Sequence, residues 1–409
     1  MAHSFKQRAI YWASWGLYSL FFRVVLRARV YGAENIPKDG PLLVLANHTS
    51  LLDPPNVGIP IRRITHFMAT EQLFRSNRFL AWLVTNLNAF PKAKGVVDRR
   101  AMKRMLRAYR DGDVVVFFPE GVRSWTGRTL PMVDSTATFL KRIKARVVYC
   151  RLKTGHLIFP RWAPYPRLTP LVVEYSELFD YSDPDTTVEQ VEKDMVENLR
   201  VVPEEVVQVG ASLGYRMAWG LPEFLWACPR SFTADGIVLD GRSAIRCTAC
   251  SARWTTDVSQ NLTSQTPDAP SYRLVTAVDR IHAHFGSPPA ADRARFESEG
   301  VALEEADVSI SKIIPTERAP MPVCTGTARL TATRISVHGD DGAELWGYDL
   351  SELKAVLAQL GNRVHMRTAD GNFQIDPTHS STIKWSHFLE SHHAPVAAAA
   401  APTRRTRKR

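Results

Sequence analysis

Asn47-His48-Thr49-Ser50-Leu51-Leu52-Asp53 and Phe118-Pro119-Glu120-Gly121-Val122-Arg123-Ser124 hold the residues of this chain best suited to chemistry. An imidazole with a carboxylate five positions on suits proton transfer. A turn entering a helix brings the Asp53 carboxylate to one ring nitrogen of His48 and leaves the other free to take a proton. The second stretch adds the flexible Gly121, the hydroxyl of Ser124 and the planar guanidinium of Arg123, which suits bidentate capture of a phosphate or carboxylate. A His and an Asp at that spacing alone are more often a capping or surface pair than a base. Two such stretches, each behind a strand, outweigh that bland reading.

The elements that must position them are short and apolar. Leu42-Leu43-Val44-Leu45 runs into the first stretch and Val114-Val115-Val116-Phe117 into the second. Uninterrupted apolar runs read as strands buried on both faces, and open α/β sheets carry their chemistry at the carboxyl ends of such strands. Between them, Asp98 to Asp111 reads as a helix with Met102, Met105, Leu106 and Tyr109 on one side, and Asp111-Gly112-Asp113 turns into the second strand. A strand at Leu171-Val172-Val173 and a closing helix near Val188 to Arg200 complete an α/β domain with crossover connections.

The two blocks resemble those of the glycerolipid acyltransferases typified by 1-acylglycerol-3-phosphate acyltransferase. That family's first block is N-H-x-S-x-x-D and its third F-P-E-G-x-R-S, and both stand here without a substitution. Asn35-Ile36-Pro37-Lys38-Asp39-Gly40-Pro41 and Pro160-Arg161-Trp162-Ala163 are similar to the family too, so the resemblance covers about residues 30 to 180. It implies an α/β acyltransferase domain, a mixed or mostly parallel sheet flanked by helices. It also implies direct acyl transfer: His48 takes the proton of a lysophospholipid hydroxyl, foremost 1-acylglycerol 3-phosphate, which attacks the thioester of acyl-CoA or an acyl carrier protein. Asp53 would orient the imidazole, Glu120, Gly121, Arg123 and Ser124 would bind substrate, and catalysis would require no cofactor.

Two departures blur the substrate. The family's second block carries an arginine for the acceptor phosphate, and here Asn88 to Arg100 fills its place in altered form. Arg99 matches best, with Lys92, Lys94 and Arg100 as competitors. The fourth block's proline is missing, since Val147-Val148 leads into Tyr149-Cys150-Arg151. Acylation of another lysolipid or glycolipid therefore stays open, as does a non-catalytic lipid-binding scaffold whose C-terminal half recruits a partner.

The length of 409 residues exceeds a usual single core. Charge divides unevenly along it: residues 1–179 hold 28 Lys and Arg against 11 Asp and Glu, a net +17, leaving 24 against 30, or −6, for the remainder. A basic N-terminal half suits anionic lipid and polyphosphate-bearing acyl-CoA. No aromatic-basic pattern for nucleic acid accompanies it. Ile10 to Leu26 is apolar and aromatic, but with Arg23 inside its 17 residues it falls short of the roughly 20 a membrane span needs. It reads as an interfacial helix with Trp12, Trp15, Tyr18, Phe21 and Phe22 at headgroup level and Arg23, Arg27 and Arg29 meeting lipid phosphates, against an ordinary helix packed on the domain's own sheet. No small-residue cleavage site follows it, so the expectation is a membrane-associated protein with its catalytic half facing the cytoplasm.

The second half reads separately. Cys228-Pro229-Arg230-Ser231 with Cys247-Thr248-Ala249-Cys250 resembles a zinc ribbon in which the fourth cysteine is Ser231. Tetrahedral zinc wants four ligands, so the expectation is a ribbon that has lost its metal, with zinc on Cys228, Cys247 and Cys250 as the alternative. His282 and His284 fall on different faces of a helix and make poor substitutes. Five cysteines make no disulfide framework and fit a reducing compartment. From Thr325 to about His392, alternating strands at Thr327–Val337, Glu344–Tyr348, Val364–Thr368 and Asn372–Ile375 precede a helix, an outline reminiscent of pleckstrin-homology-like domains. The organisation expected is thus 1–30 a membrane-interfacial helix, 31–222 the acyltransferase domain, 223–258 the ribbon-like segment, 259–322 a linker with helices, 323–393 the β-rich module capped by a helix, and 394–409 a disordered basic tail.

Overall fold

The structure, a computed structural model, describes residues 5–75, 78–92, 99–133, 135–206, 210–286, 300–314, 317, 319–359 and 363–399. The chain divides into two compact units, residues 1–217 with 256–261 and residues 218–255 with 262–409.

In the first unit a helix, α1 (Phe5–Leu20), runs on through a π-helical turn at Phe21–Val25. The strands are β1 (Arg29–Tyr31), β2 (Leu42–Ala46), β3 (Thr65–Thr70), β4 (Ala89–Lys92), β5 (Val114–Phe117), β6 (Arg146–Leu152) and β7 (Val172–Asp180). Among them lie α2 (Asp53–Gly58), α3 (Glu71–Arg75), α4 (Arg78–Asn86), α5 (Arg99–Arg110), α6 (Ser135–Arg142) and α7 (Gly155–Ile158), with α8 (Val188–Leu199) closing the unit. They form one sheet in the order β1-β7-β6-β2-β5-β3-β4, parallel at every pair except the antiparallel β6–β7. This is the mixed, mostly parallel sheet expected of the sequence.

All five β2 side chains are buried because the strand is sandwiched. Leu42, Val44 and Ala46 join Val114, Val116, Phe22 and Leu26 in the core on one face. Leu43, Leu45 and Val115 join Met105, Tyr109 and Leu140 on the other. Each buried Leu, Val, Phe or Met among them contributes about 1.5–3 kcal/mol on burial. α5 presents Ala101, Met105, Ala108 and Tyr109 to this core and leaves Lys103, Arg104, Arg107 and Arg110 exposed, as its periodicity requires. Parallel register places the carboxyl ends of β2, β5, β3 and β4 on one rim. The two motifs, which leave β2 and β5, therefore emerge side by side.

The N-terminal helix packs most of its aromatics on the first unit's own sheet. Trp15, Tyr18 and Phe21 pack against the sheet's own core and Phe22 lies inside it, so four of the five aromatics expected at headgroup level are spoken for. Tyr11 is buried too, its hydroxyl donating to Arg63 O at 3.2 Å and accepting from Thr65 N at 3.1 Å. The outer face keeps Trp12, Leu17, Leu20 and Val24 exposed. Among the described residues, no helix is long and apolar enough to cross a membrane.

The second unit begins with α9 (Leu221–Phe224) and a sheet of β8 (Ile237–Leu239), β9 (Ala244–Cys247), β10 (Arg253–Thr256), β11 (Asn261–Ser264) and β12 (Tyr272–Arg273), ordered by sequence. After α10 (Leu274–Phe285) come β13 (Val301–Ile313), β14 (Met321–Thr331), β15 (Arg334–His338), β16 (Glu344–Asp349), β17 (Ala355–Gln359), β18 (Arg363–Arg367), β19 (Asn372–Asp376) and α11 (Thr382–Ala399). These strands form a seven-stranded sheet, β16-β15-β14-β13-β19-β18-β17.

Three readings of this half are corrected. The stretch expected as linker contains β13, a strand whose Glu and Ala content hides its periodicity and whose register is broken by bulges. Glu305 on it is buried because its carboxylate accepts from Trp385 Nε1 at 2.7 Å and from His379 N at 2.7 Å. Thr327–Val337, read as one strand, is a hairpin: the Thr331 hydroxyl accepts from Arg334 N at 3.0 Å and turns the chain without Gly or Pro. Residues 394–399, expected in the disordered tail, extend α11 through an alanine run of high helix propensity. The rest of that tail lies outside the described residues.

Tyr11→Phe tests the docking of α1. The change leaves Thr65 N–H buried without its acceptor, so unfolding in denaturant should show a loss of about 1–3 kcal/mol. An unchanged midpoint would mean that α1 does not hold the strand it touches.

Candidate active site

Asp53 opens α2, directly ahead of Pro54 and Pro55, whose missing N–H groups are harmless in a first helical turn. Its Oδ2 lies 2.9 Å from His48 Nδ1 and also accepts the backbone N–H groups of Thr49 at 2.5 Å and Ser50 at 2.7 Å. A carboxylate oxygen only accepts, so the proton of this contact sits on Nδ1 and Nε2 carries the free lone pair. Asp53 is fully buried, whereas the His48 side chain keeps 20% of its surface exposed. The dyad inferred from spacing thus has the geometry of a solvent-reachable base on a buried orienting group. Gly155 closes the far side of the carboxylate: a Cβ there would come within 3.3 Å of Asp53 Oδ1 and 2.9 Å of Thr49 Oγ1.

Asn47 and Phe118, the first residue of each motif, hold the base in place. The Asn47 amide bridges to β6, its Oδ1 accepting from Leu152 N at 2.7 Å and its Nδ2 donating to Leu152 O at 3.4 Å. The ring of Phe118 stacks on the imidazole of His48 with centroids 4.1 Å apart and planes at 21°. Ser124 N donates to His48 O at 2.8 Å, tying the two strand-end loops directly.

Most of the residues expected to bind substrate also make contacts within this scaffold. Both oxygens of Glu120 accept backbone N–H groups, Oε1 from His48 and Oε2 from Leu130, each at 2.7 Å. The residue keeps 5% of its surface exposed. Burial pushes Glu120 up to about 8 in spite of those two donors, and the neighbouring Asp53 charge adds to the rise. Ser124 is buried, and its Oγ accepts Gly127 N at 3.1 Å to shape the following turn. Gly121 supplies a left-handed φ of 72° in the same loop.

Arg123 is different. Its guanidinium is half-buried and makes no hydrogen bond or ion pair among the described residues; burial lowers its pKa, and the Asp53 charge opposes that. Its backbone carbonyl accepts from Arg161 Nη1 at 2.6 Å, and the Arg161 guanidinium lies 3.8 Å over the ring of Trp125. This shelf places an unpartnered cation beside the dyad. Arg99 lies exposed at the start of α5, and Lys92 ends β4 on the sheet rim shared with both motifs. Lys94 and Asp98 of the altered second block lie outside the described residues. Val147-Val148-Tyr149-Cys150, where the fourth block lacks its proline, forms buried β6, and Tyr149 hydrogen-bonds Tyr181 hydroxyl to hydroxyl at 2.7 Å.

Cys228, Cys247 and Cys250 are brought together in the second unit, their sulfurs within 4.8 Å of one another. His282 and His284 play no part there: they stack on His387 at 4.4 Å and on Phe232 at 3.8 Å. Sequence reasoning missed the bridge from Asn47, the stacking of Phe118 and the Arg161–Trp125 shelf. The first two are motif positions whose chemistry gives no hint of contact, and the third joins residues 36 apart.

Residues 27–153 match the family model described as Acyltransferase. The chain is 26% identical over 121 residues to 1-acyl-sn-glycerol-3-phosphate acyltransferase of Bacillus subtilis, covering 29% of this chain and 59% of that protein. It is 27% identical over 154 residues to 1-acyl-sn-glycerol-3-phosphate acyltransferase BAT2, chloroplastic, of Brassica napus, covering 36% and 42% respectively. The match thus spans less than two thirds of the length of either relative. The crystal structure of the 1-acyl-sn-glycerophosphate acyltransferase PlsC from Thermotoga maritima aligns at 25% identity with a TM-score of 0.37, over 47% of this chain and 77% of that one.

The raised Glu120 carboxyl has a measurable consequence. An acid whose pKa is higher folded than unfolded holds its proton longer in the folded state. Its effect on stability is therefore absent below the ordinary range and increasingly unfavourable as pH rises toward about 8. Denaturation midpoints should fall from about pH 5 to about pH 8, and Glu120→Gln should flatten that decline while lowering stability throughout, because an amide nitrogen cannot accept the second N–H. A wild-type slope retained in the variant would assign it to another group.

Proposed function

Because residues 27–153 carry an acyltransferase domain like that of the 1-acylglycerol-3-phosphate acyltransferases, we propose that this protein transfers a fatty acyl chain from acyl-CoA or an acyl carrier protein to the free hydroxyl of a lysophospholipid, foremost 1-acylglycerol 3-phosphate. The observation that carries the reading is the His48–Asp53 contact, with Nδ1 committed to the carboxylate and Nε2 left to accept a proton. As the hydroxyl oxygen attacks the thioester carbonyl, its proton passes to His48 Nε2. The C–S bond then breaks, and the thiolate leaves with that proton as the ester forms. Lipid binding without catalysis needs no such dyad, so the scaffold alternative leaves His48 and Asp53 unexplained.

Arg123 is the residue we assign to the acceptor's phosphate, since it is the half-buried cation next to the base that the scaffold does not use. Lys92, at the end of β4, and Arg99, at the start of α5, are assigned to the more distant charge of either substrate. Membrane association rests on the outer face of α1 and its continuation. Leu17, Leu20 and Val24 are 75%, 62% and 63% exposed at one-stripe spacing, with Arg23 and Arg27 exposed beside them. A cleft of about 540 Å³ under this segment has Trp15, Phe22, Ile36 and Ile59 on its apolar walls and Arg23 and Arg62 at its edge, which suits an anionic lipid. The surface so formed would face the cytoplasmic leaflet.

Purified protein given labelled acyl-CoA and 1-acylglycerol 3-phosphate should transfer the chain, and His48→Ala should reduce kcat by about 100- to 10,000-fold. Equal transfer by wild type and variant would end the proposed mechanism. Arg123→Ala should raise the acceptor KM without moving the acyl-CoA KM, and the opposite pattern would reassign Arg123 to the donor. Leu17→Glu with Leu20→Glu should release the protein from anionic vesicles while soluble-substrate turnover persists; undiminished vesicle binding would remove the membrane role of this face.

A further inference from the structure

The two turns that carry the thiols of the second unit are the same turn built twice. In the first, Cys228 N donates to Thr233 O at 3.0 Å; in the second, Cys247 N donates to Ala252 O at 2.9 Å, the same five-residue closure. The residue after each turn is left-handed, Phe232 at φ 57° and Ser251 at φ 55°. Superposed by position, Cys228 corresponds to Cys247 and Ser231 to Cys250. The cross-turn distances repeat that symmetry: Cys228 Sγ to Cys250 Sγ is 3.8 Å and Cys247 Sγ to Ser231 Oγ is 3.6 Å.

Those two lengths fit the edges of a coordination tetrahedron. Two sulfurs each about 2.3 Å from a tetrahedral zinc lie about 3.8 Å apart, and a sulfur and an oxygen ligand about 3.5 Å apart. Backbone N–H groups of Arg230 and Ser231 point at Cys228 Sγ, both at 3.4 Å, the arrangement that stabilises a sulfur carrying negative charge. The Ser231 hydroxyl is itself oriented by Thr233 Oγ1 at 3.0 Å.

We propose that Cys228, Cys247 and Cys250 bind a thiophilic divalent ion of zinc's class, with the Ser231 hydroxyl at the fourth corner of its tetrahedron. This replaces the expectation of an emptied ribbon, and it is independent of acyl transfer. Binding displaces the three thiol protons to water and leaves a centre of net charge −1, three thiolates against a divalent ion. Arg280, whose Nε donates to Pro229 O at 3.3 Å, stands beside the first turn to offset that charge. The ion joins the 228–231 turn to the hairpin of β9 and β10, so its task is to fasten this part of the second unit.

The full chain purified without added metal should contain about one zinc per molecule. After exchange, cobalt(II) should give thiolate-to-metal charge transfer in the near ultraviolet and the intense visible bands of a tetrahedral site. Cys250→Ser should abolish both. Ser231→Cys supplies a fourth thiolate at that corner and should tighten cobalt binding by at least about tenfold. Absence of zinc together with no cobalt charge transfer in folded wild type would overturn the site. Ser231→Cys that binds cobalt no more tightly than wild type would overturn the fourth corner.

Discussion

One oxygen atom organises the candidate site of the first unit. Asp53 Oδ2 accepts from Thr49 N, Ser50 N and His48 Nδ1 at once, so the loop's path, the first turn of α2 and the orientation of the imidazole are a single arrangement. A charged acceptor taking three donors in a water-excluded setting is worth far more than a surface contact, and removing it would leave two backbone N–H groups unanswered. The dyad is therefore part of the fold. The constraint extends outward: Glu120 holds His48 N, Ser124 N holds His48 O, and Asn47 holds the end of β6.

That arrangement requires rigid ground, and the two-faced sheet supplies it. β2 and β5 are neighbours in register, Leu42 opposite Val114 through Leu45 opposite Phe117. The carboxyl ends of two adjacent buried strands cannot drift apart without breaking both cores. The loops that leave them inherit a fixed separation, which lets Phe118 of one motif press on His48 of the other.

The first unit was legible because its signals were local. Apolar runs marked β2 and β5, periodicity marked α5, and a spacing of five residues placed a carboxylate at an imidazole. What stayed hidden depended on partners far along the chain. Glu120 looks like a substrate ligand until Leu130 N and His48 N are seen to occupy it. The aromatics of α1 look like membrane anchors until the sheet is present to cover them, because the same residue types serve a lipid surface and a protein core. β13 was lost because a buried Glu305, paired with Trp385 eighty positions on, reads as an exposed charge in sequence.

The second motif shows how a site can consist mostly of support. Phe118 backs the imidazole, Glu120 ties two loops, Gly121 makes the turn and Ser124 caps the next one. Only Arg123 is left with a charged group that the fold does not consume. A half-buried guanidinium without a hydrogen-bond partner among the described residues is costly to keep, since burial removes hydration and only the nearby Asp53 charge opposes that. An arriving phosphate would supply what hydration no longer does, and it would do so beside the one ring nitrogen free to take a proton. Under the proposed function these would be a base and an anion site, and an acceptor carrying its hydroxyl and its phosphate on one short backbone would use both.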